Sequence, residues 1–160
     1  MTQLTNNAKD NLDIVRQACK SCFVDYPILQ TLTLCQAIEE SNLLGTPSKL
    51  ALRYNNLFGM KPGSIVPKGT NINGVVLMNT HECDKYGCQE VDQEFLYNDD
   101  IEDSFKQHEE LFTNLSRYKN LFGAQSLEEA ARMVQSDGYA TNPDYAENLI
   151  RIYNQYVKVN

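Results

Sequence analysis

Apolar positions recur at the spacing of an α-helix through most of the chain, with polar residues between them. Cap and turn residues mark several of the ends, among them the capping box Ser126-Leu127-Glu128-Glu129, the stop at Asp137-Gly138 and the start at Asn142-Pro143. The predicted helices run over about 8–24, 30–42, 48–54, 101–116, 126–137 and from 142 towards the C-terminus. The pattern therefore predicts a mostly helical domain.

One segment in the middle of the chain shows a different period. Val91, Phe95 and Tyr97 alternate with polar residues, and Val75 to Thr80 reads as a partner strand, so we predict a β-hairpin. The segment before it, 61–74, is rich in Pro and Gly and is predicted to be a loop. The fold class expected from these patterns is α+β, in one domain over residues 1–160.

The charge balance excludes several function classes. The formal net charge is -7, which disfavours nucleic acid and anionic membrane surfaces, because both attract clustered Lys and Arg. No stretch approaches the ~20 apolar residues of a membrane span. Met1 to Asp10 is polar and lacks the apolar core of a signal peptide. We therefore expect synthesis in the cytoplasm without a signal peptide.

The cysteines leave two interpretations open. The chain has five, so at least one is unpaired within it. Cys83 and Cys88 flank a predicted hairpin tip and are candidates for a disulfide, which forms only in an oxidising compartment. Alternatively, Cys19 and Cys22 could join them as four zinc ligands, but the first pair lies in a helical pattern that suits a zinc site poorly.

Four separated segments carry a resemblance to a known family. They are Gln36-Ala37-Ile38-Glu39-Glu40-Ser41, Asn55-Asn56-Leu57-Phe58-Gly59-Met60-Lys61, Thr80-His81-Glu82 and Gly138 to Ala146, with the sequence GYATNPDYA. In order and spacing they resemble the motifs of glycoside hydrolase family 73, the glucosaminidases of the FlgJ and autolysin type. The resemblance runs from about residue 8 to 157.

The resemblance implies a lysozyme-like fold with a groove between a helical lobe and the hairpin lobe. It implies hydrolysis of the β-1,4 bond between N-acetylglucosamine and N-acetylmuramic acid in peptidoglycan strands, without a metal or organic cofactor. The chain departs from the family pattern in having no Trp after the first motif and Asn142 in place of an Asp. Asn caps a helix as well as Asp does, but it carries no charge.

Glu40 is the expected catalytic acid. A carboxyl group at a helix end, facing a groove beside apolar walls, can keep a raised pKa and protonate the leaving oxygen. Glu39 points about 100° away on the same helix and is expected to be an exposed charge. Glu82 is the candidate second carboxylate, which either activates water or orients the substrate's acetamido group; the alternative is an exposed polar residue on the hairpin.

The remaining candidate site residues come from the same motifs. Tyr139 resembles the tyrosine beside the acid and is expected in catalysis, with a half-buried core tyrosine as the alternative. Substrate contact is expected of Gln36, Asn55, Asn56, Phe58, Asn142 and Tyr145. A scaffold role remains open for the two adjacent Asn residues, and a core position is favoured for Phe58. His108 lies on an apolar helix face and is expected in the core.

The biological role that follows from these expectations is cutting cell-wall glycan strands in the periplasm or cell wall, after export or delivery. An antibacterial effector carried by type VI secretion and a phage lysin are both open. An effector is expected to have an immunity protein that blocks its groove. The alternative function is a non-catalytic wall-binding or assembly module on the same fold, which retention of Glu40 disfavours.

Overall fold

The structure is a computed structural model that describes residues 3–63, 72–84 and 86–158, with the side chains of 72, 73 and 82–84 outside the description. Two antiparallel strands lie between two groups of helices. The helices are α1 (Ala8–Cys19), α2 (Pro27–Glu40), α3 (Lys49–Tyr54), α4 (Ile101–Asn114), α5 (Leu127–Ser136) and α6 (Tyr145–Ile152), with a 3₁₀ helix (Ser116–Gly123) after α4 and a π-helical turn (Tyr153–Val157) after α6. The strands are β1 (Ile72–Asp84) and β2 (Gly87–Asn98). The predicted mostly helical α+β fold with one hairpin is confirmed.

Helix α2 forms the centre of the helical lobe. Its residues from Leu32 to Ile38 are all buried, and α1, α5 and α6 pack around it. A helix that is apolar on most of its faces is stable only when other elements surround it. The C-terminal end of α2 leaves this core at Glu39 and Glu40, which places both carboxyl groups at the edge of the helical lobe.

Several predicted helix boundaries were wrong. The second helix was predicted to begin at about residue 30, but α2 begins at Pro27, which occupies the first turn, where the missing N–H costs nothing. Helix α1 ends at Cys19, ahead of a turn in which Phe23 takes a φ of 47°. The last helix begins at Tyr145 rather than at Asn142, whose side chain instead accepts a hydrogen bond from the Asp144 N–H in the preceding turn.

The hairpin is longer than the two short strands that alternation predicted. Its register pairs Val76 with Phe95 and continues to a Cα pair of Asp84 and Gly87 at the tip. The base of β2 is buried against the helical lobe, and the Leu96 N–H donates to the Met60 carbonyl at 2.9 Å. The hairpin is therefore fixed at its base, next to the segment that follows α3.

Among the residues that the structure describes, no helix combines the length and the apolar composition that crossing a bilayer requires.

Candidate active site

A groove of about 850 Å³ opens beside the C-terminal end of α2. Glu40 is the last residue of that helix, and its side chain is open to solvent on the groove side. The groove is lined by Glu39, Glu40, Phe58, Gly59, Met60, Lys61, Leu111, Arg117, Tyr118, Tyr139, Ala140, Thr141, Asn142 and Tyr145. Helices and loops that are distant in sequence therefore surround the carboxyl group predicted to be the acid.

A second, smaller pocket of about 250 Å³ shares Glu40 with the groove. Its other walls include Met78 and Thr80 of β1, Phe95 of β2 and Asn56. Glu40 thus lies where the two cavities meet, between the helical lobe and the hairpin. A chain-like ligand that occupies both cavities passes the Glu40 carboxyl group.

Two buried side chains hold the Glu40 carboxyl group from behind. The Tyr145 hydroxyl donates to Glu40 Oε1 at 2.7 Å, and Gln36 Nε2 donates to the same hydroxyl oxygen at 3.1 Å. Gln36 and Glu40 are four residues apart on α2, whereas Tyr145 comes from α6. The tertiary fold, rather than α2 alone, fixes the direction of this carboxyl group.

The pKa of Glu40 is raised above its ordinary value. Burial by the surrounding protein is the main cause, the hydrogen bond from Tyr145 opposes it, and the nearby charge of Glu39 adds to the rise. Desolvation disfavours the charged form of a carboxyl group, so the protonated form persists to higher pH. Glu40 is therefore suited to hold a proton at the groove wall.

Glu39 has a different environment from its neighbour. Its Oε1 accepts a hydrogen bond from Asn148 Nδ2 at 3.0 Å, and α6 supplies this partner. The two adjacent glutamates thus diverge as the helical geometry predicts. Glu39 provides a matched carboxyl group for comparison with Glu40.

Tyr139 lies in the groove wall and stacks on Tyr145, with ring centroids 5.8 Å apart and an interplanar angle of 23°. Burial, then the charge of Glu40, raises the pKa of Tyr139 well above its usual range. The hydroxyl group therefore stays protonated and remains a hydrogen-bond donor at neutral pH. The structure places Tyr139 beside Glu40, the candidate acid.

The expectation of direct substrate contact requires correction for three residues. Gln36, Asn55 and Asn56 are at most 3% exposed. Gln36 and Asn55 line neither cavity, and Asn56 lines the smaller one with only 1% of its surface exposed. Their hydrogen bonds assign them to the scaffold, in agreement with the alternative that the sequence left open for the two Asn residues.

The two Asn residues join the segment after α3 to the hairpin. Asn55, at a φ of 49°, donates to the carbonyls of Asn98 and Asp99 at 3.2 and 3.0 Å. Asn56 Nδ2 donates to the carbonyls of Met60 and Leu96 at 2.9 and 2.8 Å, and its Oδ1 accepts from the Met60 N–H at 2.9 Å. These bonds hold the hairpin base against the groove.

The other three predicted substrate contacts line the groove. Phe58 is only 8% exposed and packs on His108, with ring centroids 4.2 Å apart, so it is mainly a core residue with one edge in the groove. Asn142 is exposed there, and Tyr145 reaches it with little of its surface. His108 is fully buried in the core, as expected.

The predictions at the hairpin tip stay predictions. The side chains of Glu82 and Cys83 lie outside the described residues, although their backbones pair with Gln89 and Cys88. The zinc interpretation has no support among the described residues: Cys19, Cys22 and Cys35 are free thiols in the core, and no group of three His, Cys, Asp or Glu in that part of the chain is arranged to hold a metal.

Two cationic side chains in the groove wall were missed by the sequence reasoning. Lys61 follows α3, and Arg117 lies in the 3₁₀ helix with its guanidinium 4.6 Å from the centroid of the Tyr118 ring. Lys61 ends one of the motifs and could have been included on that ground. Arg117 lies outside the four motifs, so only the tertiary fold shows that it belongs to the groove.

Comparisons with known proteins agree with this arrangement. Residues 16–158 match the family model Glucosaminidase, described as mannosyl-glycoprotein endo-beta-N-acetylglucosaminidase. The exo-glucosaminidase LytG of Bacillus subtilis (strain 168) is 34% identical over 136 residues, which cover 82% of this chain and 45% of that protein. The chain thus spans less than half the length of this relative.

Solved structures show the same fold. The catalytic domain of the autolysin Auto from Listeria monocytogenes superposes with a TM-score of 0.72 at 24% identity, covering 96% of this chain and 86% of that one. A mutant of a peptidoglycan hydrolase from Sphingomonas sp. A1 superposes with a TM-score of 0.63 at 26% identity, covering 89% and 87%. Together with the family match over most of its length, these likenesses show that the chain belongs to the glucosaminidase family of glycoside hydrolases and has its lysozyme-like fold.

Proposed function

We propose that this protein hydrolyses the β-1,4 bond between N-acetylglucosamine and N-acetylmuramic acid in peptidoglycan, with Glu40 as the general acid. The observation that carries the proposal is the position of the Glu40 carboxyl group where two cavities meet. Its raised pKa favours the protonated form that the reaction needs. The Sphingomonas relative is itself named a peptidoglycan hydrolase, which supports the choice of substrate.

In the proposed reaction, protonated Glu40 donates to the glycosidic oxygen as the bond to the anomeric carbon breaks. The sugar passes through an oxocarbenium-like transition state, and a water molecule supplies the hydroxyl group of the new reducing end. Tyr139 is a neutral donor beside the acid and is placed to orient the substrate's acetamido group or the water. Neither the proton transfer from Glu40 nor the attack by water requires a charged group on the glycan.

Two routes remain for stabilising the transition state. Glu82 can act as the base that activates water, a route that suits carboxyl groups about 6.5–9.5 Å apart. Alternatively, the substrate's 2-acetamido carbonyl attacks the anomeric carbon and Glu82 only orients that group. Glu82→Gln distinguishes the routes: a loss of activity as deep as that of Glu40→Gln supports the base, and a much smaller loss supports assistance by the substrate.

The acid assignment is tested by Glu40→Gln, with Glu39→Gln as the matched control. The first variant keeps the shape of the side chain but removes the proton that is transferred, so release of reducing sugars from purified peptidoglycan should fall by at least about 100-fold. The control changes the neighbouring carboxyl group, which is bonded to Asn148, and should lose less than about tenfold. Retained activity in Glu40→Gln contradicts the assignment.

The bond specificity is tested by mass analysis of digested peptidoglycan. N-acetylglucosamine at the new reducing ends supports the proposal, whereas N-acetylmuramic acid at those ends shows a muramidase. The lengths of the early products also separate internal cleavage from release of terminal units. This comparison matters because the family is described as endo-acting, while the relative LytG is named an exo-enzyme.

We further propose that the enzyme acts in the periplasm or cell wall as an antibacterial effector or a phage lysin, and that a dedicated inhibitor protein fits the groove of an effector. The groove is open and about 850 Å³ in volume, which leaves room for an inserted loop. Production directed to the periplasm of a Gram-negative host should lyse the cells, and production in the cytoplasm should not. Lysis by Glu40→Gln at the wild-type rate contradicts a role that depends on hydrolysis.

A further inference from the structure

The Gln36–Tyr145–Glu40 chain of hydrogen bonds runs from the core to the groove. Gln36 is fully buried and Tyr145 is 3% exposed, so the chain lies behind the acid rather than in the substrate's path. Gln36 Nε2 lies 3.1 Å from the Tyr145 hydroxyl, and that hydroxyl lies 2.7 Å from Glu40 Oε1. Both donor–acceptor distances lie within the usual range for hydrogen bonds in proteins.

The number of available protons fixes which atom donates and which accepts in each of these two hydrogen bonds. Oε1 accepts both in the ionised carboxylate and in the acid that carries its proton on Oε2, so the single proton of the Tyr145 hydroxyl points towards Glu40. The hydroxyl oxygen then has only acceptor capacity left, which the Gln36 amide N–H uses. Gln36 therefore selects the rotamer of the hydroxyl, and the hydroxyl in turn occupies Oε1 of the acid.

We propose that Gln36 and Tyr145 are positioning residues that act in series on Glu40, so that Oε1 is held by the tyrosine and Oε2 carries the proton delivered to the glycosidic oxygen. The inference rests on the proposed function for its chemical step. It differs from a substrate-binding role, because neither residue needs to touch the sugar. Stacking of Tyr139 on Tyr145 restricts the movement of the Tyr145 ring, whose hydroxyl group holds the Glu40 carboxyl group.

The Gln36–Tyr145–Glu40 hydrogen bonds also affect the pKa of Glu40. The hydrogen bond from Tyr145 lowers the pKa of Glu40 against the dominant effect of burial, which raises it. The titratable and charged groups that face the same carboxyl group or line the two cavities beside it are Glu39, Lys49, Lys61, Arg117, Tyr118 and Tyr139. Replacing the Tyr145 hydroxyl leaves all six in place, so a change in the Glu40 titration reports the loss of this one donor.

The central variant is Tyr145→Phe, which removes a single oxygen atom. We expect kcat on soluble peptidoglycan fragments to fall by about tenfold, because a charge-assisted hydrogen bond that orients the acid is lost. KM should change by less than about twofold, and the alkaline limb of the kcat–pH profile should move to higher pH. Tyr156→Phe, which removes a hydroxyl group outside the groove, is the matched control and should leave all three quantities unchanged.

Serial action is tested with Gln36→Met and the double variant Gln36→Met/Tyr145→Phe. If Gln36 acts only through the tyrosine, the double variant loses no more activity than Tyr145→Phe does alone. Losses that multiply overturn the serial order. An increase in KM with an unchanged kcat and pH limb in Tyr145→Phe shows substrate binding and overturns the positioning role. If Gln36→Met does not fold, Tyr145→Phe alone decides the positioning role of Tyr145.

A measurement without substrate separates this inference from the proposed function. The Glu40 carboxyl group is titrated by ¹³C NMR in the wild type, in Tyr145→Phe and in the Tyr156→Phe control. A higher Glu40 pKa in Tyr145→Phe alone supports the positioning contact even if the wild type fails to cut peptidoglycan, in which case only the proposed function fails. An unchanged titration in Tyr145→Phe overturns the inference whatever the activity.

Discussion

Burial of His108 makes the stability of the fold depend on pH in a calculable way. The imidazole is fully enclosed, packs against Phe58 and Phe112, and has Thr33 Oγ1 3.4 Å from its Nδ1. Burial lowers the pKa of His108 from 6.5 to about 3. The folded protein therefore keeps this side chain neutral at a pH where the unfolded chain has already bound a proton.

The sign and the size of the change in the free energy of unfolding with pH follow from proton linkage. Between pH 6.5 and about 3 the unfolded state holds one more proton at this residue, so the stability that is present above pH 6.5 is lost as the pH falls. One pKa unit corresponds to about 1.36 kcal/mol. Lowering the pH from 7 to 5 should thus reduce the free energy of unfolding by about 2 kcal/mol through His108 alone.

The assay is urea denaturation followed by far-UV circular dichroism at pH 7 and pH 5. In His108→Phe, which replaces the imidazole by an aromatic ring that does not titrate, the change between the two pH values should be smaller than in the wild type by about 2 kcal/mol. His81→Gln, at an exposed site on the hairpin, is the control and should keep the wild-type difference. An equal pH difference in wild type and His108→Phe refutes the reasoning.

Three further predictions concern the scaffold. Asn56→Ala removes three buried hydrogen bonds at the hairpin base and should lower the free energy of unfolding by about 3 kcal/mol, as measured in urea, whereas Asn79→Ala on the exposed face should cost under about 0.5 kcal/mol. Ser126→Ala removes the N-cap of α5 and should cost about 1 kcal/mol with activity unchanged, since it lies outside the groove. Cys83 and Cys88 should form a disulfide in protein oxidised by air, and mass spectrometry that finds both thiols free contradicts that pairing.

The chain's local patterns were sufficient for much of the fold. Helical spacing located α2, although the predicted range of about 30–42 differs from the observed Pro27–Glu40. The capping box located the start of α5, where Ser126 Oγ accepts from the Glu129 N–H at 3.1 Å. Alternation located the hairpin, although it underestimated its length. These features depend on interactions within a few residues along the chain, so the sequence encodes them directly.

The surroundings of the Glu40 carboxyl group in the candidate active site depend on tertiary packing. The partner of the Glu40 carboxyl group is Tyr145, which is 105 positions away in the chain, and Gln36 reaches the acid only through it. Motif reasoning gave Gln36, Asn55 and Asn56 a substrate role because it identifies residues but not their burial. Which side of a helix faces the groove depends on how distant elements pack around it, and that packing also partly desolvates the Glu40 carboxyl group, which raises its pKa. The sequence by itself thus determined the fold class and indicated Glu40 as the candidate acid, whereas only the tertiary structure decided what holds that carboxyl group and raises its pKa.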